Sequence, residues 1–220
     1  ILSVSSSAGT IKGNYSIRVH ETATAQTVAS GIFEVQDSSS AIEISLGSFQ
    51  VIVGDKTANI EVNEESSLQS IAEQVNNARI GVSASVVKVQ DGYRLAFLNA
   101  DTGTEKAAGF ADNQGGQMLQ SLGLLNGQGT LNVTQAAQNA RIEINGIEVT
   151  SASNTITSAI PGMTLNLHNE APGTVVSVRV EDDYSQAQEA VQAFVDQYNS
   201  VMTFIADKLN YNPNTKVKGD

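Results

Sequence analysis

The feature that most constrains this chain is a short unit of two alternating strands joined by a polar turn, which occurs twice. One copy covers residues 49–62 and the other covers residues 141–149. Each strand alternates apolar and polar side chains, and this period of two places all the apolar groups on one face. Such strands form sheets that bury one face and expose the other to water. Repeated units of this kind indicate a scaffold or an interaction surface.

The composition argues against several classes of function. There are 23 acidic and 12 basic side chains, giving a net charge of −11. A field of that sign repels phosphate backbones, so we expect no nucleic-acid partner. The chain has no cysteine, and it therefore lacks disulfides, thiolate metal ligands and cysteine nucleophiles. No apolar run approaches the roughly 18 residues of a membrane helix, and no segment resembles a secretory signal. The chain, which begins at Ile1, reads as a fragment of a longer protein.

Alternation and turn signals predict most of the chain to be strand. Asp91-Gly92 and Asn145-Gly146 are dipeptides that favour two-residue type I′ hairpin turns. The glycine-rich stretch 102–129 is predicted to be a mobile surface connection with one short helix at 117–122. The predicted strands are 15–20, 31–35, 42–46, 49–53, 58–62, 82–90, 93–99, 131–133, 165–167 and 174–180.

Two segments show helical spacing instead. In the first, Leu68, Ile71, Ala72 and Val75 share one face, and Ser66 or Ser67 is the predicted cap. This helix is followed by strands and is expected to pack on them.

The second helix is predicted to run for about 24 residues from a capping box of Ser185 and Gln188, with Pro213 beyond its end. At 1.5 Å per residue it would extend roughly 36 Å, which is long for a helix that covers small sheets. The apolar side chains of this helix recur at three- and four-residue steps and form one apolar stripe. Two interpretations are open: the stripe packs on helices of the same protein outside this chain, or it is buried against the chain's own sheet. The residues predicted to form the packing interface are Val191, Phe194, Val195, Tyr198, Val201, Met202 and Ile205.

No residue pattern predicts catalysis, a metal or a cofactor. His20 and His168 lie in unrelated strands and are interpreted as structural or surface residues. The paired carboxylates Glu64-Glu65, Asp101 with Glu105, and 181–183 fall in polar loops or at the ends of elements, where solvated surface explains them. The absence of tryptophan disfavours a sugar-binding platform. The sequence contains no nucleophile elbow, no phosphate-binding loop and no calcium loop.

Five motifs stand out together, in order along the chain, at 13–19, 25–30, 137–146, 153–165 and 194–199. In this combination they resemble the flagellar hook-associated protein 2 family. The segment 68–76 also resembles a short motif ending in Val/Ile-Asn that recurs in flagellin and hook proteins.

The resemblance implies an α+β, mainly β architecture of two small head domains, one inserted in the other, and part of a helical leg domain. The inserted β-rich head domain, with one helix, is expected at 42–130. The discontinuous head domain is expected at 13–41 and 131–181. The leg is expected to contain 1–12 and 182–220, as a strand and a long C-terminal helix.

The resemblance also implies a non-enzymatic function. Members of this family cap the distal end of the bacterial flagellar filament, where they retain exported flagellin and promote its polymerisation. The implied partners are flagellin, further copies of the same chain in a ring, and hook–filament junction proteins, with no membrane and no nucleic acid. The implied location is the extracellular flagellum tip, after export through the flagellar type III apparatus without a cleaved signal. The alternative is an adhesin-like surface module that binds host mucin or glycans.

Overall fold

A computed structural model describes residues 1–7, 9–113, 115–209, 211–212 and 217–218, with side chains up to Leu209. The chain is mainly β and divides into two compact units, Ile1–Arg179 and Val180–Asp220. Helices run over Leu68–Ala78 (α1), Met118–Ser121 (α2) and Ser185–Leu209 (α3), and a 3-10 turn covers Thr104–Lys106. The strands are Leu2–Ser6 (β1), Gly13–Glu21 (β2), Thr27–Ala29 (β3), Gly47–Val53 (β4), Lys56–Val62 (β5), Val82–Val89 (β6), Gly92–Asn99 (β7), Gly109–Asp112 (β8), Val133–Gln135 (β9), Ala140–Ile144 (β10), Ile147–Ser151 (β11), Thr155–Ile160 (β12), Met163–Leu167 (β13), Val176–Val180 (β14), Tyr211–Asn212 (β15) and Val217–Lys218 (β16).

Among the described residues, the strands preceding α3 form four small sheets. Their strand orders are β1-β13-β12, β11-β10-β2-β14, β6-β7-β3-β9 and β5-β4-β8. The hairpins β4–β5, β6–β7 and β10–β11 are antiparallel and in continuous register. The two repeated units of the sequence are therefore hairpins, as alternation predicted. The short strands β15 and β16 pair with each other.

The buried apolar side chains fall into two sets. One forms a continuous core that includes Phe49, Leu68 and Phe97, and the ring of Phe97 meets that of Phe110 edge to face at 5.3 Å. Such aromatic pairs stabilise a core beyond the area that they bury. The other set lies on β2, β10, β12 and β13, where Ile17 and Ile142 are fully buried. Each set lines one face of its strands, as period-two alternation requires.

The predicted domain limits stay a prediction, and two pairings bear on them. Strand β3 lies before residue 42 and β9 lies after residue 130, yet both belong to the sheet that contains β6 and β7. Strand β1, which falls in the predicted leg segment 1–12, pairs along its whole length with β13. The backbone ladders therefore link segments on both sides of the predicted limits.

Helix α1 is confirmed as predicted, with Ser67 as its cap. The Ser67 hydroxyl accepts a hydrogen bond from the amide of Ser70 at 3.1 Å, and the Ser70 hydroxyl accepts one from the amide of Ser67 at 3.0 Å. This reciprocal pair satisfies two amides that a helix start leaves unpaired. The buried face of the helix is the predicted one, Leu68, Ile71, Ala72 and Val75.

Both predicted hairpins exist, but their turns differ. Asn145 and Gly146 have φ values of 50° and 83°, as a type I′ turn demands. The other hairpin turns at Gln90-Asp91, and Gly92 is the first residue of β7, so the type I′ assignment there was wrong. The backbone of Phe33 exchanges two hydrogen bonds with Tyr93 at 2.8 and 2.9 Å, close beside Gly92.

Two predicted strands, 31–35 and 42–46, are wrong. The first makes a single bridge between Phe33 and Tyr93, and the second has no ladder at all. Their apolar side chains are nevertheless used, since Ile42 is buried and its amide bonds to the carbonyl of Ser66. Alternation in these segments reflects individual side chains that fill the core from a loop.

The glycine-rich stretch was wrongly predicted to be a mobile surface connection. It supplies β8, which pairs with β4, and the predicted short helix, which is present as α2 and stops at Gly123 with φ of 64°. Several of its side chains are buried in the first core: Ala108, Met118, Leu119, Leu122 and Leu124.

Helix α3 is confirmed, but its predicted capping box is wrong. The first helical hydrogen bond runs from the amide of Gln188 to the carbonyl of Tyr184, so Ser185 already lies within the first turn. The carboxylate of Asp183 accepts the amide of Ser185 at 2.9 Å, and hydrogen bonds from the Ser185 hydroxyl and amide lower the pKa of Asp183. Pro213 lies outside the described residues.

Ion pairs cover the outer face of the sheet β11-β10-β2-β14. Arg18 contacts Glu143 at 3.0 Å, and Arg141 contacts Glu21 at 2.8 Å and Glu148 at 3.4 Å. Opposite charges on neighbouring strands support the pairing. The Arg141 guanidinium lowers the pKa of Glu21 below its ordinary value of 4.5, and the pKa of Arg141 is raised in turn.

We predict that Gly92→Ala destabilises the protein by about 1–3 kcal/mol. A Cβ at this position would lie 2.2 Å from the carbonyl oxygen of Phe33, and the φ of 137° disfavours any L side chain. Urea unfolding followed by circular dichroism measures the change. Gly127→Ala is the control, since nothing lies within 4 Å of its Cβ position. Equal midpoints for the two variants would contradict the prediction.

We also predict that Glu21→Gln removes part of the loss of stability in acid. Because the folded pKa of Glu21 is lowered, the ion pair contributes fully above its ordinary value of 4.5 and is lost as the pH falls through the folded pKa. The melting temperatures of the parent and the variant should therefore differ most near neutral pH and converge in acid. Glu64→Gln, at an exposed carboxylate in the turn before α1, serves as the control. A constant difference between Glu21→Gln and the parent at every pH would contradict the assignment.

Candidate interaction surfaces

The predicted packing interface on α3 forms one continuous apolar stripe. Its seven residues are 41–71% exposed, with Val195 the least exposed and Phe194 the most exposed. At 3.6 residues per turn they fall within an arc of about 120°, the width of the apolar face of a helix in a bundle. Contiguous exposed apolar side chains of this extent are typical of surfaces that pack against a partner. The seven residues are Val191, Phe194, Val195, Tyr198, Val201, Met202 and Ile205.

The opposite side of α3 is polar. Asp196 accepts a hydrogen bond from the Gln192 carboxamide at 2.9 Å, and the Ser200 hydroxyl donates to the Asp196 carbonyl at 2.8 Å. Phe204, 62% exposed, lies outside the arc, and the Lys208 ammonium sits 5.8 Å from its ring centre. Helical spacing alone did not select Phe204, because it falls about 120° from the centre of the stripe.

The two histidines have local partners in separate sheets. His20 lies 3.3 Å from the Glu143 carboxylate within the ion-pair face, and His168 lies 3.1 Å from the Ser3 hydroxyl. The structure does not bring them together with a carboxylate pair of the kind that hydrolysis needs. Within the described part of the chain, no three His, Asp or Glu side chains are grouped so that they could hold a metal ion.

The carboxylates that the sequence singled out are spread over the surface. Glu64, Glu65, Asp101 and Glu105 are all exposed, in loops or in the 3-10 turn. Asp182 accepts a hydrogen bond from the Tyr184 hydroxyl at 2.8 Å, which raises the pKa of that tyrosine.

A shallow polar depression lies beside β4 and β5. It has a volume of about 640 Å³, and its described lining includes Ser48, Asn59, Asn113 and Gln117. Asn113 donates hydrogen bonds to Ser48 and to Asn59, which occupy its amide. None of the described lining residues carries an ionisable side chain, so these residues offer no general acid or base.

No helix within the described residues combines the length and the apolar character that a bilayer span would need. This finding and the surfaces above leave the α3 stripe as the candidate site with the clearest physical signature.

Comparison with known families identifies the relatives of the chain. Residues 137–220 match the family described as "Flagellar hook-associated protein 2 C-terminus". Flagellar hook-associated protein 2 of Escherichia coli is 32% identical over 216 residues, which cover 95% of this chain and 46% of that protein. The Salmonella typhimurium protein of the same name is 31% identical over 150 residues, 67% of this chain and 32% of that protein. The chain thus spans less than half the length of either curated relative.

A solved structure of a flagellar cap protein is also similar to this chain, over nearly the whole length of the solved structure. The crystal structure of the D2–D3 domains of the flagellar cap protein FliD from Escherichia coli superposes with a TM-score of 0.72 and 30% identity, covering 82% of this chain and 94% of that one. Sequence identity of 30% over almost the whole of the compared chain establishes common descent as well as a common fold. The chain therefore belongs to the flagellar hook-associated protein 2 family, as its five motifs had indicated.

Proposed function

We propose that the protein containing this chain is the cap of the bacterial flagellar filament, which retains exported flagellin at the distal end and promotes its polymerisation. The observation that carries the proposal is the α3 stripe, joined in one chain to sheets with ordinary buried cores. An exposed apolar helix face fits an element that anchors the sheets to a larger assembly. Membership of the family supports the identity of that assembly.

The α3 stripe is proposed to pack on helices of the leg domain. Fully burying one large apolar side chain is worth about 1.5–3 kcal/mol, so seven partly buried residues supply on the order of 10 kcal/mol. That free energy favours docking of the formed helix on the bundle, in addition to the hydrogen bonds within the helix. The predicted interface residues are therefore proposed as structural contacts, with no catalytic role.

A passive, non-enzymatic role agrees with the polar surfaces. The ion-pair face pairs Arg18, Arg141 and their carboxylates within the chain itself, and the described residues around the depression near Asn113 are not ionisable. Such surfaces can contact neighbours through hydrogen bonds and shape without supplying chemistry. We accordingly propose flagellin, further copies of the chain in a ring, and hook–filament junction proteins as partners. The proposed location is the extracellular tip of the flagellum, after export without a cleaved signal.

Adhesion to mucin or glycans is the alternative that the family resemblance raised. Among the described residues, no exposed aromatic platform beside a depression favours it, and the relatives named above carry no such description. A glycan array incubated with the purified chain tests it directly, and specific retention there would make adhesion the better proposal.

We predict that deleting the complete gene leaves bacteria that release unpolymerised flagellin and do not swim. Complementation with the full-length protein should restore filaments. The variant Phe194→Asp should fail to do so, because a carboxylate cannot be buried in an apolar helix interface without a large penalty. The matched control is Ala193→Asp, which adds the same charge on the polar side of α3. The readouts are flagellin in the medium and swimming.

The gene deletion tests the cap proposal, and complementation with Phe194→Asp tests the packing interface on α3 independently. Filaments of normal length on deletion cells would contradict the cap proposal. Release of flagellin by deletion cells together with full rescue by Phe194→Asp would leave the cap role standing and contradict the packing interface on α3.

We further predict that the isolated 220-residue chain is monomeric or only weakly associating in dilute solution. A net charge of −11 opposes close approach of two copies, and the partners proposed for α3 lie in other parts of the protein. Light scattering at several concentrations measures the mass. A tight oligomer at the lowest concentration would contradict this expectation.

A further inference from the structure

Helix α1 lies between the outer strands of two sheets. Strand β5 is the outer strand of β5-β4-β8, and β6 is the outer strand of β6-β7-β3-β9. The edge of such a strand presents backbone amides and carbonyls that can pair with a strand of another chain. These edges have to be covered or otherwise blocked if the sheets are to remain separate.

Two side chains of α1 bind these edges in the same way. The Gln74 carboxamide accepts the amide of Glu61 in β5 at 3.0 Å and donates to the carbonyl of Glu61 at 2.9 Å. The Asn76 carboxamide accepts the amide of Ala84 in β6 at 2.8 Å and donates to its carbonyl at 2.8 Å. Each amide thus makes the two bonds that a residue of a neighbouring antiparallel strand would make.

The helical geometry explains how one turn reaches both sheets. Gln74 and Asn76 are two positions apart, which is a rotation of about 200° around the helix axis. Val75 points midway between them, about 100° from each. Val75 is fully buried in the core between the sheets. Only one orientation of each carboxamide satisfies both the donor and the acceptor of the strand, which fixes the amide assignment.

We propose that Gln74 and Asn76 are edge locks, side-chain amides that close the outer edges of β5 and β6 against strand addition by a second copy of the chain. The proposal assigns a physical role to the end of the 68–76 motif, which the packing of Leu68, Ile71 and Val75 does not explain. An apolar side chain at either position would cover the edge sterically but leave the amide and carbonyl of the strand unsatisfied. The edge locks therefore satisfy the backbone hydrogen bonds of the edge strands as well as covering these strands sterically.

The test compares Asn76→Ala with Asn77→Ala in the 220-residue chain. Asn77 is exposed at the next position of the same helix and serves as the matched control. Amide hydrogen exchange should rise at least about tenfold at Ala84 in Asn76→Ala, with Glu61 unchanged, because one protecting bond is lost. Gln74→Ala should give the mirror result, with faster exchange at Glu61 and unchanged exchange at Ala84.

Light scattering completes the test. Asn76→Ala should show a mass that rises with concentration, while Asn77→Ala follows the parent chain. Unchanged exchange at Ala84 would overturn the proposal, and so would a mass identical to that of the control at every concentration. A uniform rise at all amides would also count against it, since that pattern reports a loss of global stability without local opening of an edge. If Asn76→Ala does not fold, hydrogen exchange at Glu61 and light scattering of Gln74→Ala test the proposal at the edge of β5.

Discussion

The burial of one face of each antiparallel sheet is the constraint on which the first unit depends. Phe49 and Phe97 on one set of strands, and Ile17 and Ile142 on the other, are 0–1% exposed. Because side chains alternate across a strand, each of these positions fixes the register of its neighbours, and a slip by one residue would turn the apolar set to water. The outer faces are then free to carry paired charges such as Arg141 with Glu21. Because side chains alternate along a strand, the residues that stabilise the core and the residues that form the polar surface lie on opposite faces of the same sheet.

The sequence predicted those parts of the fold that depend on local periodicity. The hairpins and α3 follow from spacing over a few residues, α1 follows from spacing together with its Ser67 cap, and all are present. The errors concern segments whose structure is decided by distant partners. Residues 31–35 and 42–46 alternate like strands, but no neighbour offers a ladder, and the stretch 102–129 is ordered by β4 and by the first core.

The candidate site was predictable in part for the same reason. A stripe at three- and four-residue steps is visible in the sequence, and its exposure could only be learned from the structure. The edge contacts of Gln74 and Asn76 could not be predicted, since they join α1 to backbone groups of Glu61 and Ala84 that the helical pattern does not encode. Polar side chains that bind backbone leave no periodic signal, in contrast to apolar side chains that fill a core.

The separation of polar and apolar faces on α3 has a consequence for the medium in which the helix associates. Acidic side chains repel one another over the Debye length, which is about 8 Å at physiological ionic strength and shrinks as salt is added. Contact through Phe194 and its apolar neighbours is not weakened by salt and is strengthened by ions that are excluded from protein surfaces. Added salt is therefore expected to favour docking of this helix on the proposed partner surface where that surface is also acidic.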